Sequence, residues 1–236
     1  MPQIDDAELF GNAEDQRAYE EFCANQEAVE KFTLDKPALV CRWRMSNKKV
    51  PMLNRHIRAL SERLVQGEPL THNMLSWAKQ HVEWSLAEGD YTARDGVLML
   101  VIDVNGNAAM TVGEYEPLAD TSAKALRARS AEARSEADET GVAPELLAAV
   151  NNGELAFVAP ADECLCGTAT LIEQLAQTKG IPVTRVDIPA QLKGALFLVS
   201  DEHGVVPATE TDAAEADAAT VAFFADGYEK LRARRS

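Results

Sequence analysis

The run Leu165-Cys166-Gly167-Thr168-Ala169-Thr170, followed by LIEQLAQTKGIPV, constrains this chain more than any other stretch. A tight glycine turn opens directly into an amphipathic helix. The helix stops at Gly180 and gives way to a β-branched segment that ends near Ile188. Such a turn leaves unpaired backbone N–H groups at a helix start, where an anion such as a phosphate can sit. Ordinary connections share the pattern, so its meaning depends on the rest of the chain.

At 236 residues the chain can form one large domain or two smaller ones. Hydrophobic residues make up 46% and charged residues 26%, the balance of a soluble globular protein. No apolar run approaches the roughly 20 residues that span a bilayer. The start, MPQIDDAELFGNAEDQ, has neither a basic segment nor an apolar one, so no secretory signal is expected and a cytoplasmic location is. The net charge of −15 argues against nucleic acid and anionic lipid as partners, and the basic RARRS tail does not reverse it. Cys23, Cys41, Cys164 and Cys166 form no C-x-x-C pair, which points to free thiols.

Periodicity predicts helices over 13–32, 54–65, 71–87 and 121–139, and a last helix through Phe223, Phe224, Tyr228 and Leu231. Strands are expected at 38–45, 50–53, 96–104, 108–112, 154–158, 181–188, 196–200 and 205–208. Asn105-Gly106 reads as a type I′ hairpin turn, and the apolar stretch 144–150 as a short helix. A shift in composition over 117–121 divides the chain into 1–118, a small α+β domain with a helical extension, and 121–236, a shortened α/β domain.

Several chemistries lack their motifs. Cys164 and Cys166 fall on opposite sides of an extended segment, with no second pair to close a metal site. Asp103-Val-Asn105-Gly106-Asn107 lacks the closing acid of a calcium loop. His72 and His81 stand nine apart, and no H-E-x-x-H, G-x-S-x-G, G-x-G-x-x-G or Walker motif occurs. No metal is therefore expected. Lys124, in Thr121-Ser-Ala-Lys-Ala-Leu-Arg, is either a solvated helix lysine or a desolvated amine able to form a Schiff base.

Taken in order, five segments resemble the class IV aminotransferase family, which includes branched-chain and D-amino-acid aminotransferases and 4-amino-4-deoxychorismate lyase. They are CRWRMSNKKVPMLNRHIRAL (41–60), GVLMLVIDVNGNAAMTVGEYEPL (96–118), TSAKALRARSAEARSEADETG (121–141), NGELAFVAPADECLCGTATLIEQLAQTKGIPVTRVDI (152–188) and QLKGALFLVSDEHGVVPATE (191–210). Each motif is loose; their shared order carries the likeness. The resemblance implies an α+β, two-domain fold, with a small antiparallel sheet plus helices first and a mixed α/β domain second. It implies pyridoxal phosphate at the junction, held by Lys124 and cradled by the backbone of Gly167, Thr168 and Ala169. It also implies an amino acid or 2-oxo acid as substrate, transamination or lyase chemistry, and a homodimer.

The sequence departs from that pattern in three places. Ala59 stands where the family has its phosphate-binding arginine, which leaves Arg58, Arg55 and Arg63 as neighbouring candidates, Arg58 first. Thr170 replaces the arginine after the glycine loop. The strand and glutamate expected between Gly141 and Asn152 are missing, and only Glu145 and Glu154 lie nearby. These departures admit a second reading: a catalytically inactive, cofactor-free descendant of the fold that acts as a binding or interaction protein. A third reading drops the resemblance and leaves an acidic α+β interaction module.

Overall fold

In the computed structural model, residues 17, 20–21, 34–89, 93–140, 145–210 and 212–233 are described. The helix expected over 13–32, with Tyr19, Phe22 and Cys23, lies almost wholly outside the described residues.

The elements run β1 (Pro37–Met45), α1 (Leu53–Ser61), β2 (Leu64–Val65), β3 (Glu68–Pro69), α2 (His72–Glu88), β4 (Gly96–Asp103), β5 (Ala108–Gly113), α3 (Ala123–Thr140), β6 (Leu146–Asn151), β7 (Glu154–Val158), α4 (Gly167–Thr178), β8 (Val183–Val186), a single 3-10 turn (Pro189–Gln191), β9 (Ala195–Ser200), β10 (Gly204–Pro207) and α5 (Glu215–Arg232). They build two principal sheets. An antiparallel sheet in the order β1-β4-β5 comes from the first half of the chain, and a sheet in the order β10-β9-β6-β7-β8 from the second.

In the first sheet the middle strand, β4, is apolar along most of its length because α1 and α2 cover it. Leu98, Leu100 and Ile102 pack with Met74, Ala78, Val82 and Leu86 of α2 and with Leu53 and Leu60 of α1. Thr71 caps α2, its hydroxyl accepting from the Met74 N–H at 3.2 Å, as a threonine before an amphipathic run should.

The second sheet is covered on both faces. Leu146, Ala148 and Val150 of β6, with Phe157, Phe197 and Val199, face α4 and α5. Leu147, Ala149, Leu196 and Leu198 face α3. All of β9 and most of β6 are buried, which explains their unbroken apolar sequences. The strands β7 and β8 are parallel and joined through α4, the remainder antiparallel.

Four local expectations are corrected. Residues 50–53 do not return as a strand; β1 pairs with β4 from Met45–Gly96 to Pro37–Asp103, and the chain turns at 50–52 into α1. Leu64 and Val65 do not extend α1 but start a two-residue hairpin with Glu68 and Pro69, around Gly67 at φ 83°. The stretch read as a helix up to Val150 is instead the central strand β6, so the strand read as missing between Gly141 and Asn152 is present, with Glu145 directly before it; an apolar run of that length carries no period to separate helix from strand. The β4–β5 hairpin forms but is not type I′. The Gly106 N–H donates to Asp103 O at 3.0 Å, the Asp103 N–H to Asn107 O at 2.8 Å, and of the two turn residues only Gly106 has positive φ. The carboxylate of Asp103 accepts from the N–H groups of Asp35, Asn105 and Asn107 and from the Asn107 amide, which organises the loop without a cation.

Candidate functional site

A cleft opens where the two sheets meet. The Arg44 N–H donates to Asp201 O at 2.9 Å, tying β1 to the turn after β9. The cleft has a volume of about 80 Å³. One wall is β1, from Leu39 to Trp43, and another is α1 with its exit, His56, Ala59, Leu60 and Arg63. Helix α3 contributes Arg129, Ala133, Glu136 and Ala137, which share one face at steps of three and four. Glu145, Cys166, Ser200, Asp201 and Glu202 complete the lining.

The cleft is highly charged, and most of its charges are paired. Arg42 of β1 pairs with Glu136 of α3, which holds the Glu136 carboxyl below its usual range and raises Arg42. Arg129 Nε donates to Glu145 Oε2 at 2.6 Å, and this bond raises Arg129 further. His203 brings Nε2 to 3.5 Å of Glu145 Oε1 and Nδ1 to 3.3 Å of the Tyr115 hydroxyl; burial lowers its pKa. Glu145, Glu202 and His203 bring ligand-type atoms within 4.8 Å of one another, but the Arg129 guanidinium already supplies the cation at Glu145. Arg63 differs from the other cleft arginines. Its Nη2 donates to Cys164 O at 2.8 Å, and among the described residues it has no carboxylate partner.

The start of α4 meets the cleft at Asp201. The N–H groups of Gly167 and Thr168 donate to Asp201 Oδ2 and Oδ1 at 3.2 and 2.7 Å. His56, 3% exposed and stacked on Trp43, brings Nδ1 to 3.1 Å of Asp201 Oδ2. The next N–H, of Ala169, donates to Cys166 Sγ at 3.4 Å. Burial alone would raise the Asp201 carboxyl. His56 and the bonds from Thr168 outweigh it and hold the pKa at about 2. A helix N-terminus ordinarily lowers a thiol's pKa. Here burial and the Asp201 charge prevail, so Cys166 is raised well above the usual thiol range and Cys41 to about 12. Neither thiol is poised as a nucleophile.

Gly167 is required by this packing rather than by its backbone angles. A Cβ there would lie 2.5 Å from His56 Nδ1. Gly167→Ala is expected to displace His56 and cost about 2 kcal/mol in urea denaturation; an unchanged midpoint would show that His56 yields freely.

The sequence-derived candidates are dispersed. Gly167, Thr168 and Ala169 do reach the cleft edge, with their N–H groups taken by Asp201 and Cys166. Lys124 is exposed in the first turn of α3 and does not line the cleft. Five residues separate it from Arg129, about 140° around the helix. The same turn docks elsewhere, Arg127 donating to the carbonyls of Pro189 and Leu192. Arg58 is exposed, its Nε donating to Asn54 O at 3.3 Å. Arg55 reaches α4, donating to Thr170 Oγ1 at 3.1 Å and to Gln174 Oε1. The residues that build the site, Arg63, Arg129, Glu136 and Asp201, were not singled out from sequence for these roles.

No family model matches the sequence, and no curated protein does. Solved structures share its fold. A hypothetical aminotransferase from Mycobacterium tuberculosis, in its apo form, is 13% identical and superposes with a TM-score of 0.59 over 88% of this chain and 95% of its own. The same protein with α-ketoglutarate and PMP bound gives 0.58 at 13% identity over 85% and 94%. A candidate 4-amino-4-deoxychorismate lyase from Legionella pneumophila gives 0.57 at 12% identity over 85% and 97%. A fold IV-transaminase from Curtobacterium pusillum gives 0.54 at 14% identity over 88% and 93%. The chain therefore has the class IV aminotransferase fold. Among the described residues no helix is long and apolar enough to cross a membrane.

Proposed function

We propose that this chain uses the class IV aminotransferase fold as a cofactor-free binding protein for a small carboxylate metabolite, an amino acid or a 2-oxo acid. The observation that carries this reading is the composition of the cleft wall, which among the described residues has three arginines and no lysine. The described lining thus offers no amine able to condense with a carbonyl, and Lys124 is on another side of α3. The cavity of about 80 Å³ is also small against the roughly 300–1,000 Å³ of pockets for larger ligands. Pyridoxal phosphate does not fit these residues, since its phosphate would compete with Asp201 for the N–H groups of Gly167 and Thr168.

In this reading Arg63 anchors the ligand carboxylate, because among the described residues it is the cleft arginine without a carboxylate of its own. The Glu202 side chain lies in the same lining and suits an ammonium group. Thermal-shift titrations with amino acids and 2-oxo acids test this. A saturable rise of several degrees for one of them, abolished in Arg63→Gln, is the expected result. No rise with any member of the panel would sink it.

The α-ketoglutarate- and PMP-bound neighbour favours a second reading, pyridoxal-phosphate-dependent transamination or lyase chemistry; to it we add, from the sequence resemblance alone, Lys124 as the Schiff-base amine and a cytoplasmic homodimer. It requires the first turn of α3 to turn toward the cleft and Asp201 to leave α4. Incubation with the cofactor separates the two readings. A yellow protein with a borohydride-fixed adduct on Lys124 supports the second, and a colourless protein without one supports the first.

A further inference from the structure

We infer that His203 takes up a proton when a 2-oxo acid binds in the cleft, and that an amino acid binds without that proton. The inference rests on the carboxylate-binding reading of the cleft and concerns how the charge of the ligand is balanced.

The lining sets the problem. Among the described residues it holds three guanidiniums against four carboxylates, Glu136, Glu145, Asp201 and Glu202. A ligand carboxylate that settles on Arg63 adds a negative charge to a wall that already carries an excess of them, and like-charge repulsion opposes it. An amino acid brings its own counter-charge, because its ammonium can approach Glu202. A 2-oxo acid has none, so the protein must supply it.

His203 is placed to do so. Its side chain is 5% exposed and does not line the cleft, but it reaches two carboxylates that do. Nε2 is 3.5 Å from Glu145 Oε1, and the ligand-type atoms of Glu145, Glu202 and His203 lie within 4.8 Å of one another. Arg129 occupies the other Glu145 oxygen, Oε2, which leaves Oε1 to the imidazole. A proton taken from solvent makes both ring nitrogens donors, Nε2 toward Glu145 and Nδ1 toward the Tyr115 hydroxyl at 3.3 Å. The imidazolium then faces the same carboxylates that an ammonium would. In the empty cleft burial, with Arg129 of α3 and Arg44 of β1 behind it, lowers the His203 pKa from the ordinary 6.5 against the pull of Glu145 and Glu202. Arg44 acts from across the Tyr115 ring, on which its guanidinium stacks. The other histidine of the lining, His56, already faces Asp201 at 3.1 Å. A bound anion raises the His203 pKa. The affinity for a 2-oxo acid is therefore greatest below the pKa of the empty site and declines as the pH rises through that of the filled one.

Calorimetry with pyruvate and L-alanine, which share a carbon skeleton, tests this in buffers of different ionisation enthalpy. Pyruvate is expected to bind the wild type with uptake of about half a proton near pH 6, and roughly tenfold more tightly at pH 5.5 than at pH 7.5. Alanine should take up none. His203→Asn should bind pyruvate without proton uptake and equally at both pH values. Pyruvate binding to the wild type without uptake, or uptake that persists in His203→Asn, would overturn the inference and leave the cleft reading in place. Alanine binding with no pyruvate binding at either pH would do the same. If neither compound binds, the inference falls and the wider panel decides the cleft reading. Where His203→Asn does not fold, imidazole nitrogen-15 spectra of the wild type give the answer. The His203 signal, identified by its proximity to the Tyr115 ring, should titrate about one pH unit higher with pyruvate than without. An unmoved midpoint would overturn the inference.

Discussion

Replacing Asp201 by alanine is expected to lower the unfolding free energy by about 3 kcal/mol in urea at neutral pH. The loss comes from what remains rather than from the methylene removed. Two N–H groups at the start of α4 lose their acceptor, and the Nδ1 of His56, 3% exposed and 3.1 Å from the carboxylate, loses the group it faces. Each orphaned donor costs about 1–3 kcal/mol unless water enters. A loss below about 1 kcal/mol would mean that solvent already reaches these groups. The pH dependence has a definite sign. The Asp201 pKa is held at about 2 against an ordinary 3.8, so the native state favours the ionised form. Its contribution is complete above about pH 4 and disappears as the pH falls through 2. At about 1.4 kcal/mol per pKa unit it amounts to about 2 kcal/mol. The wild type and Asp201→Ala should therefore differ most near neutrality and converge in acid. A constant difference from pH 7 to pH 2 would assign the loss to packing instead of charge.

How Asp201 escaped notice in the sequence, while its partners did not, is instructive. Gly167, Thr168 and Ala169 announce a helix start because turn chemistry and the 3.6-residue period are local signals. Asp201 sits in Asp-Glu-His-Gly, where an aspartate reads as an ordinary turn residue. One signal did exist. Phe197 and Val199 face α4 and α5, and carrying the two-residue period of β9 one step beyond its last residue points Asp201 the same way. The cleft face of α3 was less legible. That helix is alanine-rich and charged on all sides, so its sequence does not say which face carries function. The family likeness drew attention to Lys124, whereas packing turns Arg129, Ala133 and Glu136 inward. Strand β6 was misread for a related reason: buried on both faces, Leu146 to Val150 loses the alternation by which a strand is recognised.

Phe197→Ala should be the most costly single substitution in the second sheet, at about 4 kcal/mol. Phe197 is fully buried on β9, paired in register with Ala148 of β6 and Pro207 of β10, and its ring centroid lies 6.2 Å from that of Phe224 on α5. The neighbour in β6 is an alanine, so no large side chain there can close the space. Chemical denaturation gives the comparison directly. Trp84→Ala removes a larger ring but one that is 59% exposed, and it should change stability by less than about 0.5 kcal/mol. Equal losses at the two positions would contradict the burial that defines this core. The effect should also reach the cleft, because Asp201 follows Phe197 by four residues on the segment that β9 positions. A strand that shifts to relieve the cavity would carry the carboxylate off the Gly167 and Thr168 N–H groups. The alanine variant should therefore lose part of the acid-range pH dependence as well as stability. Retention of the full pH dependence at a 4 kcal/mol loss would show that the turn after β9 is held by its own contacts, through Arg44 and His56, and not by the strand behind it.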